Sequence, residues 1–277
     1  MKKTLLIWIF LFIAVSAQYS VQSINPSVDL GWIGQVEYIS DTKVIVASTK
    51  QNSMQVYSVN QQVSGGAPVL LYSEYVGNTT YTVQKMKFFN AEQGYIFYSR
   101  NTSGLGISRV LLKTTDGGNN WRQTFLTDNP GRIDMTNLNE GAMVTLSGEL
   151  NFTTTGGSAW TLSDINRPWR SFNLVAYNAA TWILAYSFDT MWVSSNKGVS
   201  WSSIVLPSTN YGSGFALESY GTNKFGFATG DHWIIKFEVG QGGYTTEQIK
   251  RNFGIIDGVS FSDSAYAILT TSDSVYI

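Results

Sequence analysis

Along most of this chain a segment of alternating apolar and polar residues is followed by a polar turn and then by a shorter, more continuously apolar run. Alternation with a period of two marks a half-buried strand, and an unbroken apolar run between turn residues marks a strand covered on both faces. The stronger runs open near Lys43 (Val44-Ile45-Val46-Ala47), Tyr95 (Ile96-Phe97-Tyr98), Ala142 (Met143-Val144-Thr145-Leu146), Thr181 (Trp182-Ile183-Leu184-Ala185), Lys224 (Phe225-Gly226-Phe227-Ala228) and Ala265 (Tyr266-Ala267-Ile268-Leu269). They recur at steps of 52, 47, 39, 43 and 41 residues. Each leads through a turn to a third strand, such as Val110-Leu111-Leu112, Met191-Trp192-Val193 or Trp233-Ile234-Ile235. A second pattern marks the turn into a fourth strand. Thr114-Thr115-Asp116-Gly117-Gly118-Asn119-Asn120-Trp121 is its cleanest copy, Ser194 to Trp201 is close to it, and Thr153 to Trp160 is degraded. The closing tryptophans stand 39 and 41 residues apart.

Four short antiparallel strands in each unit of about forty residues describe one blade, and six such units describe a ring. The expected fold is therefore all-β, a β-propeller of about six four-stranded blades. The last unit stops at Val275-Tyr276-Ile277, after its third strand, while an extended segment from Val28 to Ile33 precedes the first unit. That N-terminal segment is expected to supply the outer strand of the last blade, which closes the ring and removes an exposed sheet edge. Further blades beyond residue 277 are the competing reading. Blade two carries a longer insertion, Asn101 to Ser108.

Composition changes this picture at the N-terminus. Lys2-Lys3, an apolar run from Leu5 to Val15 and the ending Val15-Ser16-Ala17 read as a secretory signal, residues 1–17, ahead of a single propeller domain, 18–277. The run is shorter than the roughly 20 residues of a spanning helix, and no later segment could cross a bilayer as a helix. A secreted or extracytoplasmic location follows as an expectation. Without the signal the chain has 16 basic and 19 acidic residues, which gives no bulk attraction to nucleic acid. There are no cysteines, so burial by nine Trp, fifteen Tyr and fifteen Phe must supply stability without disulfides.

In the repeated turn an Asp side chain can accept a backbone amide two residues on, Gly admits the positive φ of a tight turn, and the Trp packs between neighbouring sheets. Asp116, Gly118 and Trp121 fill these positions in the first copy, Gly157 and Trp160 with Thr155 in the second, and Asn196, Gly198 and Trp201 in the third. At these residues the chain resembles the Asp-box, or BNR-repeat, propellers. Met86-Lys87-Phe88-Phe89, Gly94-Tyr95-Ile96 and the run from Leu111 to Trp121 follow the blade order of photosystem II stability/assembly factor-like proteins, the nearest resemblance. Residues 36–277 are covered by the repeat resemblance. It implies a binding scaffold, with an arginine patch across several blades.

In such a scaffold the binding face is formed by the loops between blades and the turns between second and third strands, opposite the boxes. The second-to-third turns carry Glu149, Asp189, Asp231 and Asp273, and the inter-blade loops carry Arg132, Arg167, Arg170 and Arg251. Together they make a mixed-charge rim whose arginine forks can grip carboxylates. The bland alternative is ordinary solvated turn and surface residues. Sialidases share the boxes but need a Phe/Tyr-Arg-Ile-Pro element, a Tyr nucleophile paired with Glu, and an Asp acid. Here Arg132-Ile133 is followed by Asp134, and no such element precedes Trp121. His232, the only histidine, lies in a turn without a Gly-x-Ser-x-Gly elbow, and one imidazole without thiols is too few for zinc. No metal or cofactor is expected. Asn78, Asn101 and Asn151 stand in Asn-x-Ser/Thr sequons, which matter only where the host glycosylates. The expected function is a non-enzymatic binding or scaffold module, assembly-factor-like, for a protein or glycan partner on the face opposite the boxes. A glycoside hydrolase of sialidase type is the alternative.

Overall fold

The computed structural model describes residues 30–40, 43–59, 67–162, 174–177, 183–187, 190–196, 200–204, 214–221, 224–229, 233–240, 243–250, 256–261, 267–271 and 275–276. Among them all regular structure is strand. The first sheet contains β1 (Trp32–Ser40), β2 (Lys43–Lys50), β3 (Ser53–Val59) and β4 (Val69–Tyr75). The second contains β5 (Thr79–Phe88), β6 (Gly94–Thr102), β7 (Gly106–Thr114) and β8 (Arg122–Leu126). The third contains β9 (Pro130–Met135), β10 (Gly141–Thr145), β11 (Leu150–Thr153) and β12 (Thr161–Leu162). The fourth holds β13 (Leu174–Tyr177), β14 (Ile183–Ser187), β15 (Thr190–Ser194) and β16 (Ser202–Ile204), and the fifth β17 (Gly214–Gly221), β18 (Lys224–Thr229), β19 (Trp233–Gly240) and β20 (Gly243–Lys250). A sixth sheet holds β21 (Ile256–Phe261), β22 (Ala267–Thr271) and β23 (Val275–Tyr276).

Every sheet is an antiparallel meander in chain order. The first strands of successive sheets lie side by side, β1 against β5, β9 against β13, β13 against β17 and β17 against β21. The chain is thus an all-β propeller with its first strands innermost. One boundary differs from expectation. Trp32 and Ile33 do not leave the first blade: they pair with Thr49 and Ser48 of β2, and Leu30 is buried with Val44, Val46 and Val59. The register with β2 and the burial of Leu30 hold this segment in the first blade, while the Trp32 side chain stays exposed. The segment ahead of Leu30, expected to complete the last sheet, lies outside the described residues.

The second strands, which lie inside their sheets, are the most deeply covered. Val44 to Ser48 of β2 and all of β10 are buried, whereas the outer strand β4 is largely exposed or half-buried. Two cores separate the first three blades. Ile45, Met54, Val56, Ile96, Tyr98 and Leu112 lie between the first and second, and Tyr95, Phe97, Leu111, Ile133 and Met143 between the second and third. Each such fully buried side chain contributes about 1.5–3 kcal/mol over its exposed state.

Candidate functional site

The repeated turns fix which face is which. In the first, Thr114 Oγ1 accepts the Gly118 amide at 2.9 Å, and Asp116 accepts the Asn120 amide at 2.8 Å and the Asn120 side-chain amide at 2.6 Å. The amide that Asp116 accepts lies four residues on, not two, because Gly117 and Gly118 carry positive φ and curl the chain back over the carboxylate. Thr155 takes the Ala159 amide at 2.9 Å and Asn196 takes the Ser200 amide at 2.8 Å, so both substitutes keep the same bond. The Asp116 carboxyl is held below its ordinary value, first by the Asn120 side-chain amide and then by the Asn120 backbone amide. Trp121 packs edge-on against Phe88 and tilted against Tyr72 of the first blade, and Trp160 packs in the core between the second and third. Trp201 is half-buried; Gly198 lies outside the described residues.

Gly117 donates to Glu92 O at 2.8 Å and Gly156 to Asn139 O at 2.7 Å, which joins each repeated turn to the first turn of its own blade. At the other ends of the strands, Val76 donates to Asn52 O, Ser103 to Asn78 O and Leu146 to Asn129 O. The turns between second and third strands therefore share a face with the inter-blade connections, opposite the repeated turns.

Glu149 lies on this connecting face, exposed in the β10–β11 turn, where Ser147 Oγ donates to its carboxylate at 3.2 Å. Arg132 is also exposed at this end, but it belongs to β9, opposite Val144, and not to a loop. The strand begins earlier than expected because Pro130, which lacks a donor, suits a first strand position. Arg167, Arg170, Arg251, Asp189, Asp231, Asp273 and His232 lie outside the described residues. The insertion from Asn101 to Ser108 is no irregular loop: it prolongs the β6–β7 hairpin, with Thr102 paired to Gly106. Of the sequons, Asn78 and Asn101 are exposed on this face, and Asn151 is buried.

Three groups of residues went unmarked in the sequence. The connecting face exposes large apolar side chains: Trp32, Tyr75, Leu105, Ile107, Phe125 and Leu146, with Leu105 at 86% and Ile107 at 60%. The second group is a polar seam between the first two blades. Arg100 donates to Glu74 at 2.6 Å, the Tyr98 hydroxyl donates to the same carboxylate, and Gln123 bonds Glu74 at 2.9 Å and Tyr72 at 2.5 Å. The Arg100 guanidinium also lies 4.7 Å from the centre of the Phe125 ring. Burial, then the bond to Glu74, pushes the Tyr98 phenol far up, so this Tyr–Glu pair holds its proton, opposite to an activated nucleophile. The third group lies between innermost strands, where Lys85 and Lys87 reach buried Asp134 at 3.3 and 3.2 Å. Only the apolar group had a local signal, Leu105 and Ile107 within an insertion already notable for its length.

These features define a β-propeller whose repeated turns and connecting turns lie on opposite faces. No protein-family model matches the chain, and no curated protein sequence matches it. Solved structures share the fold. YCF48 bound to D1 peptide is 14% identical with a TM-score of 0.54, covering 87% of this chain and 74% of that one. Virginiamycin B lyase from Staphylococcus aureus is 12% identical with a TM-score of 0.53, over 87% of this chain and 92% of that one. An ancestral GH74 enzyme is 13% identical with a TM-score of 0.52, over 79% of this chain but 32% of that one. Binding proteins and enzymes thus share the architecture, and the fold alone does not select between them.

Proposed function

We propose that this chain is a secreted, non-enzymatic propeller of the Asp-box kind that holds a segment of a partner protein on its connecting face. The observation that carries the reading is the set of large apolar side chains exposed there, beside Arg132 and Glu149. Exposed apolar surface rimmed by polar groups favours a protein partner. Likeness to YCF48, solved with a D1 peptide, supports a peptide segment as the bound element and an assembly-factor-like role. The arginines at 132, 167, 170 and 251 then serve carboxylates on that partner.

The test is partner capture from an extract of the source organism by the wild type and by a variant with Arg132, Arg170 and Arg251 changed to Glu. Capture should fall at least ~tenfold, with an unchanged melting curve. Undiminished capture removes the arginines from the reading. Turnover of any member of a fluorogenic glycoside panel would replace it with a glycosidase.

A further inference from the structure

β7 is longer than its outer neighbour. It pairs with β6 from Gly106 to Thr114, but with β8 only from Arg109 to Lys113. Among the described residues, Gly106, Ile107 and Ser108 therefore have a strand on one side only. Beyond Leu126 the chain does not continue along them: Asn129 takes a positive φ of 52° and Pro130 opens the next blade. The strand line that β8 abandons is left open on the connecting face, next to exposed Leu105 and Ile107.

Where β8 ends, Arg109 is opposite Leu126. It is half-buried, its Nε donates to Pro130 O at 3.0 Å, and no carboxylate pairs with it among the described residues. A guanidinium has five N–H donors, so most of its capacity is left for an acceptor.

We propose that the open edge of β7 at residues 106–108 takes an extended peptide of the partner as an added strand, with alternate apolar residues against Leu105 and Ile107 and a carboxylate on Arg109. This inference rests on the binding role proposed above and locates it. Strand addition satisfies backbone groups through the edge and leaves specificity to alternate side chains. A lipid surface fits the apolar tip less well, because an open strand edge in hydrocarbon leaves backbone groups without partners. A second copy of the chain, pairing the same edge about a two-fold axis, leaves both Arg109 side chains without a carboxylate.

The experiment pans a random peptide library displayed with free C-termini against the full chain, then measures synthetic copies of the selected peptides by fluorescence anisotropy. Selected sequences should alternate apolar residues and include a carboxylate. Ile107→Lys and Arg109→Gln should each weaken binding at least ~tenfold, with Ile107→Lys leaving the melting curve unchanged. N-methylation should abolish binding at every second peptide residue and be tolerated between them. C-terminal amidation distinguishes a terminal from a side-chain carboxylate. Peptides that bind Ile107→Lys at full strength but lose affinity for Arg132→Glu overturn the edge and leave the binding face standing. Failure to select any peptide overturns both. Binding to phosphatidylcholine/phosphatidylglycerol vesicles that Ile107→Lys abolishes, or a dimer in light scattering that it dissociates, overturns the peptide in favour of lipid or a second copy.

Discussion

Asp116 shows how much a single turn residue can organise. Its carboxylate takes both the backbone and the side-chain amide of Asn120. Thr155 and Asn196 keep the backbone bond without the charge. Because the folded Asp116 sits below its ordinary value of 3.8, its contribution is present above that pH and is lost as pH falls through the lowered value. Asp116→Asn should therefore melt earlier than the wild type near neutral pH, and the gap should narrow as the pH falls below the ordinary carboxylate value. A gap that persists in acid removes the charge from the explanation. Trp121 is tested by truncation: Trp121→Ala should cost about 3–5 kcal/mol in urea unfolding, since it fills the space between Phe88 and Tyr72. These residues were legible in the sequence because their partners are within a few positions. The exact amide was not, because the two glycines bend the turn more tightly than a two-residue reach assumes.

At the scale of strands and blades, the second strands were the most legible elements, since coverage on both faces writes itself as a continuous apolar run. The seam between the first two blades was not legible. Glu74 meets Arg100 from another sheet, 26 residues along the chain. No local pattern announces such a pair. The Glu74 and Arg100 side chains are only 10% and 23% exposed, so removing one strands the other. Glu74→Ala should cost about 3–5 kcal/mol, and the double variant Glu74→Ala/Arg100→Ala less than the sum of the two singles. Additive losses would mean that the seam is not coupled. A second inter-blade device is carried by lysines: Lys43 donates to Gly117 O at 2.6 Å and Lys113 to Gly156 O at 2.7 Å. Each ties one blade to the repeated turn of the next. Burial lowers the Lys113 ammonium, yet its carbonyl partners keep a place for the charge. The long hairpin at Asn101 to Ser108 was visible as extra length, and only pairing showed it to be strand.

For the whole molecule, the repeated turns and the connecting ends of the strands occupy opposite faces, and this division gives the chain a front and a back. The sequence indicated the division through the order of turns within each blade. It did not indicate the apolar character of the front, because Tyr75, Phe125 and Leu146 stand singly in strands and turns that read as ordinary. Their exposure emerges only when three blades are placed together. The absence of cysteine makes the division directly testable. Single cysteines at Ser147 on the connecting face and at Asn119 in a repeated turn, each labelled with a benzophenone maleimide, place a photo-crosslinker on one face at a time. After irradiation in an extract of the source organism, a partner protein crosslinked from position 147 and absent from position 119 is the expected result. Capture from position 119 alone, or equally from both, would contradict a binding face opposite the repeated turns.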